Sequence, residues 1–117
     1  MAFRFEDLLV WQKGMYLNEQ VNRITKGFPR DELFILTSQI KRASDSVVLN
    51  IAEGSTGQTK PVFKTFLNYS LRSAIEVVNC LIIANRRDYI DNEEFQHLYD
   101  EYEQLVKMIT ALRNSIN

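Results

Sequence analysis

Apolar residues recur at steps of three and four along almost the whole chain, a spacing that draws four helices with one apolar face each. The first, about residues 5–26, repeats Val10, Gly14, Leu17, Val21 and Ile24, and the second, about 30–53, repeats Leu33, Leu36, Ile40, Ala43, Val47 and Ile51. The third, about 60–87, repeats Phe63, Leu67, Leu71, Ala74, Val78 and Leu81. The fourth, about 92–116, repeats Phe95, Leu98, Tyr102, Leu105, Ile109, Leu112 and Ile116. Gly27-Phe28-Pro29 and the stretch from Gly54 to Pro61 break the pattern, and Asp91 or Asn92 can cap the last helix. Strand alternation never persists.

Helices of about 22–28 residues run roughly 33–42 Å at 1.5 Å per residue. Similar lengths and short connections predict an all-α, antiparallel, up-down-up-down four-helix bundle, a single domain over 1–117. Gly14 on the first stripe lets a neighbouring helix come close, at a cost of about 1 kcal/mol in helix propensity.

The second helix carries two further patterns. Beside its core stripe run Gln39, Arg42, Ser46, Asn50 and Glu53, with Ser73 and Glu76 as counterparts on the third helix. Amides and hydroxyls in that spacing suit a half-buried seam in which each donor meets a fixed acceptor, and Arg42 with Glu76 is the ion pair expected there. The seam reads as an interhelical network that fixes register, or as a ligand or partner site. Off the core stripe lie Phe34, Ile35, Val48 and Leu49, and the first helix adds Leu8, Trp11 and Met15. Apolar residues on a second face predict burial against another subunit, with Leu8, Trp11, Met15, Ile35 and Leu49 as the interface.

Composition changes this picture little: 45% apolar and 25% charged residues are an ordinary globular balance. No apolar run approaches the roughly 18 residues that a membrane span needs, so no membrane role is expected. One cysteine, Cys80, allows no intrachain disulfide and suits a reducing cytoplasm. Charge matters more in its distribution than in its sum. The net charge is −1, yet residues 1–87 hold 12 Lys and Arg against 8 Asp and Glu, while residues 88–117 hold 2 against 7.

Catalytic chemistry is not in view. Glu94-Phe95-Gln96-His97 matches half of a di-iron helix motif, but the chain has one histidine and cannot supply the second half. Cys80 sits in an apolar run with no histidine placed as its base. No enzyme activity, cofactor or metal is expected. At the bundle end that gathers the N-terminus, the 54–60 loop and the last residues of the fourth helix, Arg4, Lys60, Lys64 and Arg113, set against Glu6, Asp7 and Glu53, form a candidate polyanion surface. The start of the third helix adds amide N–H groups to it.

Two segments carry a family likeness. Phe5-Glu6-Asp7-Leu8 runs on to Val10-Trp11-Gln12-Lys13. Leu36-Thr37-Ser38-Gln39-Ile40-Lys41-Arg42-Ala43 is followed by Ser46, Asn50-Ile51-Ala52-Glu53-Gly54-Ser55, Phe66-Leu67 and Ser73-x-x-Glu76. The chain resembles the proteins encoded by intervening sequences in bacterial 23S ribosomal RNA genes, the S23 ribosomal protein family, and through them the accessory protein of diversity-generating retroelements. That resemblance implies a ring-like homopentamer of four-helix bundles with RNA, or a nucleic-acid-binding protein, as partner. The sequence departs from the pattern in its neutral Thr56-Gly57-Gln58 loop and in Arg72 before Ser73. Two functions are carried forward: an oligomeric RNA-binding bundle, and a protein-interaction scaffold with no nucleic-acid role. A small molecule held by the polar seam is a third, minor one.

Overall fold

Four helices, α1 (Leu9–Thr25), α2 (Ser38–Gly54), α3 (Lys60–Arg86) and α4 (Asn92–Ser115), form the computed structural model, which describes residues 2–57 and 59–117. The register of their side-chain contacts fixes the directions. Residues 13 and 23 of α1 meet residues 101 and 94 of α4. Asn18 of α1 reaches Ser44 of α2, while Gly14 lies against Val48. Gln39 and Ser46 of α2 meet Glu76 and Ser73 of α3, and Asn68 and Asn85 of α3 meet Arg113 and Asn92 of α4. Each pairing runs antiparallel, α4 closes back onto α1, and the bundle measures 43 × 23 × 23 Å.

The core is the set of predicted stripes with local corrections. Leu17, Ile40, Ile51, Leu67, Leu81, Leu98, Leu105 and Ile109 are fully buried. Burying a side chain of that size contributes about 1.5–3 kcal/mol. On α3 it is Val77, not the expected Val78, that has no exposed surface, and Val78 packs from the edge. Val48, expected on the outer face, is buried, its Cγ1 closed over Gly14. Hydroxyls that enter the core find partners: Ser70 donates to the Val47 carbonyl at 2.8 Å, and Ser44, whose hydroxyl lies 3.5 Å from that of Tyr102, accepts from half-buried Asn18 at 3.0 Å.

The helix ends differ from the sequence reading. Instead of starting at residue 5, the first helix is preceded by a 3-10 turn, Arg4–Asp7, where the Glu6 carboxylate accepts from the Phe3 N–H, and the α-helix proper begins at Leu9. The second opens as a 3-10 turn, Arg30–Glu32, and a π-helical turn, Leu33–Thr37, before becoming regular. That wider turn buries Leu36 and leaves Leu33, expected in the core, half exposed. Thr59 caps α3, whose other end closes with Asp88 in the left-handed region (φ 60°), the Tyr89 N–H reaching the Ala84 carbonyl at 2.9 Å and the Asp88 N–H that of Asn85 at 3.0 Å. This is the double bond pattern that usually carries glycine at the αL position. Asp91 caps α4 by accepting from the Glu94 N–H at 2.7 Å.

Among the described residues one helix, α3, is long and apolar enough by length and composition to cross a membrane, and its inner face packs on the bundle core.

Gly54 marks the closest approach of α2 and α3, since a Cβ built there would stand 2.7 Å from the Phe66 Cβ and 3.0 Å from the Phe63 ring. The first of these atoms is tied to backbone and cannot swing away. Gly54→Ala is therefore expected to destabilise the bundle by about 1–3 kcal/mol, outweighing the roughly 1 kcal/mol that alanine contributes in helix propensity. Urea unfolding followed by circular dichroism reads the sign directly.

Candidate functional site

At the end where α2 runs into α3, three of the four candidate cations surround adjoining clefts. Arg4 lays its guanidinium 5.4 Å from the centre of the Phe63 ring, a cation–π contact that holds the charge at the surface. A cleft of about 530 Å³ lies between Arg4, Thr59, Lys60, Phe63 and the last turn of α4, and a second of about 590 Å³ between Lys60, Pro61, Lys64 and Asn117. No Asp or Glu side chain lines either cleft. Lys60 and Lys64, four residues apart on one face of α3, continue to Asn68, which accepts from Arg113 at 2.9 Å. Arg113 is thus held by the amides of Asn68 and Asn114 and not by a carboxylate. Among the described residues none of the four cations has an ion-pair partner within 4.0 Å. The helix start supplies less than the sequence suggested: Pro61 has no N–H, and the Val62 N–H is taken by the Thr59 hydroxyl at 3.3 Å.

The polar seam is real as a line of contacts but uneven in depth. At its centre Ser46 accepts from Ser73 at 2.8 Å and from Asn50 at 2.9 Å, all three half-buried. Its ends are exposed. Glu76 accepts from Gln39 at 3.3 Å in place of the expected Arg42, which stands in solvent with no ion-pair partner among the described residues, as does Glu53. An exposed guanidinium keeps its hydration, so nothing forces the pairing. Ser44 and Ser70 do the deeper polar work between helices; both lay among the core positions, where their hydroxyls gave the sequence pattern no signal.

The candidate interface residues separate into two groups. Leu8 and Trp11 pack on the core, and Trp11 meets Phe5 edge-on with ring centres 5.0 Å apart. Met15 is half-buried, whereas Ile35 and Leu49 are exposed. Leu33 and Phe34, unassigned to the interface by the sequence, stand out beside Ile35 on the π-helical turn. At the other end of α2, Leu49 and Ala52 form an apolar groove of about 720 Å³ with residues 2–5 and the loop at 55–57.

A buried carboxylate fixes the π-helical turn. Glu32 accepts from Tyr89 Oη at 2.7 Å and from Arg87 Nη1 at 2.6 Å, tying the 30–37 segment to the α3–α4 connection. The Tyr89 hydrogen bond, then the Arg87 guanidinium, hold this carboxyl below its ordinary value of 4.5 against the opposing effect of burial.

No cluster of three or more His, Cys, Asp or Glu among the described residues is placed to hold a metal. His97 is exposed, and Glu94 of the same motif pairs with Arg23 at 2.6 Å. Burial, reinforced by the charge of Glu76, pushes the Cys80 thiol up to about 11, so it stays protonated at neutral pH.

Fold and surfaces together define an antiparallel four-helix bundle with Arg4, Lys60 and Lys64 gathered around two clefts at one end. The chain belongs to the family of 23S rRNA-intervening sequence proteins, whose pattern matches residues 6–111. Its fold is that of a protein of unknown function from the S23 ribosomal protein family of Bacteroides thetaiotaomicron, with a TM-score of 0.83 and 23% identity over 90% of this chain and 98% of the other. No curated protein sequence matches significantly.

Because the Glu32 carboxyl titrates lower folded than unfolded, its stabilisation is present above the unfolded value and is lost as pH falls through the folded one. Glu32→Gln is therefore expected to be less stable than wild type at pH 7, with the gap narrowing as the pH drops below 4.5. Urea midpoints of both proteins across that range test it; a gap constant with pH would remove the charged clamp.

Proposed function

We propose that this chain is a non-enzymatic, homo-oligomeric bundle of the cytoplasm that binds RNA, or an RNA–protein complex, through the end formed by Arg4, Lys60, Lys64 and Arg113. The observation that carries this reading is the cationic end itself: four positive side chains, two clefts without acidic lining, and no ion pair to cancel the charge. At the opposite end Arg23 and Arg87 pair with Glu94 and Glu32. Glu6, Asp7 and Glu53 share the end of the four cations but line neither of these two clefts. Counterion release from a phosphate backbone makes such a surface attractive to RNA, and the family's name associates it with 23S rRNA.

One subunit's cations are few. Repeated around a ring, five in the number the resemblance implies, the same patch gains from avidity without any new contact. The exposed apolar residues of α2 and its leading turn support assembly, since a bundle gains nothing by leaving them in water. A protein-docking scaffold with no RNA role is the outcome that remains if the cationic end is inert.

Lys60→Glu with Lys64→Glu is expected to lower affinity for a labelled structured RNA at least tenfold at low salt. The slope of log K against log salt should become shallower by about 0.7–0.9 for each phosphate that is no longer neutralised. Lys107→Glu, on an exposed stretch of α4, is expected to change neither. Unaltered affinity and slope in the double variant would move the search to protein partners.

A further inference from the structure

Thr37 is the exception among the buried polar residues. Thr25, Glu32, Ser44, Ser55 and Ser70 each hold a side-chain hydrogen bond. The hydroxyl of Thr37, a residue 7% exposed, has no partner among the described residues. A buried hydroxyl left in that state costs free energy and is rare. Among the described residues no side-chain nitrogen or oxygen sealed from solvent lacks a partner, so this oxygen is open on one side. Thr37 lines a cleft of about 310 Å³ between the end of α1 and the turns that lead into α2.

Charge on this cleft has one sign. Lys26, Arg30 and Lys41 line it, no Asp or Glu does, and none of the three has an ion-pair partner within 4.0 Å among the described residues. Carboxylates are close but turned to other places. Asp31 follows Arg30 in the chain, and Glu19 and Asp45 line a smaller cleft of about 120 Å³ that shares Asn22 and Lys41. There Asp45 accepts from Asn18 at 2.8 Å. Phe28, Pro29 and Leu33 give the larger cleft an apolar wall. Its shape is held from behind, because buried Glu32 ties the segment to Arg87 and Tyr89. The π-helical turn that follows supplies both Leu33 and the free Thr37 hydroxyl, and such turns are uncommon and frequent at functional sites.

A cleft of this volume suits a small molecule. Three cations beside one free hydroxyl suit a group with two negative charges and several acceptor oxygens. A carboxylate or a backbone phosphodiester offers one charge, whereas a phosphate monoester carries about −1.5 to −2 at pH 7. We propose that this cleft binds a phosphate monoester, its oxygens met by Lys26, Arg30, Lys41 and the Thr37 hydroxyl, its carbon part resting on Phe28, Pro29 and Leu33. A small phosphorylated molecule carries that group, and so does the 5′ end of an RNA. The 17 residues of α2, about 26 Å at 1.5 Å per residue, separate the cleft from Lys60 and Lys64, so this site is independent of the RNA surface proposed above.

Isothermal titration calorimetry with phenyl phosphate tests it. The wild type is expected to bind one phenyl phosphate per chain, about tenfold or more tighter than benzoate, which has the same ring and a single charge. Arg30→Gln and Lys41→Gln, both at exposed positions, are each expected to lower the affinity about tenfold. Thr37→Val keeps the shape of the side chain and removes only the hydroxyl. It is expected to lower the affinity about tenfold while the urea midpoint of the free protein holds or rises, because no hydrogen bond is lost there. Lys60→Glu with Lys64→Glu is expected to bind phenyl phosphate as the wild type does.

A 5′-phosphorylated tetraribonucleotide and its 5′-hydroxyl counterpart separate the two bearers. A preference for the phosphorylated form that Arg30→Gln removes assigns the site to an RNA end; no preference, beside saturable phenyl phosphate binding, assigns it to a free small molecule. Absence of saturable binding by both phosphates would overturn the proposal. So would an affinity that Arg30→Gln and Thr37→Val leave intact, or one lost in the Lys60→Glu, Lys64→Glu protein instead.

Discussion

The hydroxyl of Ser70, with no exposed surface, donates to the backbone carbonyl of Val47 in the middle of the neighbouring helix. Such a bond requires two helix backbones to lie close, and the rest of the bundle is arranged around that closeness. Gly54 allows it at one end, where Phe63 and Phe66 cover the space a side chain would take. Gly14 does the same for α1, with Val48 folded over it. α2 is thus pressed between two partners and makes its most extensive contact with α3. The consequence reaches the cationic end: Gly54 sets where Phe63 stands, and Phe63 sets where the Arg4 charge rests. The surface that meets solvent is fixed by packing rather than by its own hydrogen bonds.

Charge is distributed by end rather than by helix. The acidic residues of α4 face cations of α1 in two places, Glu94 with Arg23 and Glu101 with Lys13. Arg23 is half exposed, and a pair so open to solvent adds little stability, while Lys13 and Glu101 are half-buried. The effect of the two pairs is to cancel potential along the α1–α4 side, away from the clefts that Lys60, Lys64 and Arg4 line. The Glu32 cluster is different, since its carboxylate is buried and hydrogen-bonded from two directions. It holds the entry to α2 in a shape that helix propensity would not choose.

Helix number, order and facing stripes were legible because a period of 3.6 is a property of the sequence itself. The misplacements share a cause: they depend on where a turn widens or a neighbour presses. Leu33 fits the stripe of a regular helix, but the π-helical turn shifts the register and leaves it in water. Val77 and Val78 are equally apolar, and only the position of α4 and α2 chooses between them. Of the candidate site, the gathering of Arg4, Lys60 and Lys64 at one end was legible from topology, since helix ends that share a side of an up-down bundle are known once the helices are counted. The Arg42–Glu76 pair was not, because side chains on an exposed flank choose partners by local geometry and hydration. The Ser44 and Ser70 bonds were invisible for the opposite reason: small hydroxyls sit on an apolar face without disturbing its pattern.

The lone thiol of Cys80 gives the molecule a built-in clock. Buried in α3 and held in its protonated form, it is shielded from alkylating reagents until the helices around it part. Each chain carries one such group. The rate at which an intact sample consumes a thiol reagent therefore counts openings of the core, and the free energy of that local event follows from comparison with the unfolded chain. An assembly that clamps α2 against its neighbours would slow that clock without touching the sulfur.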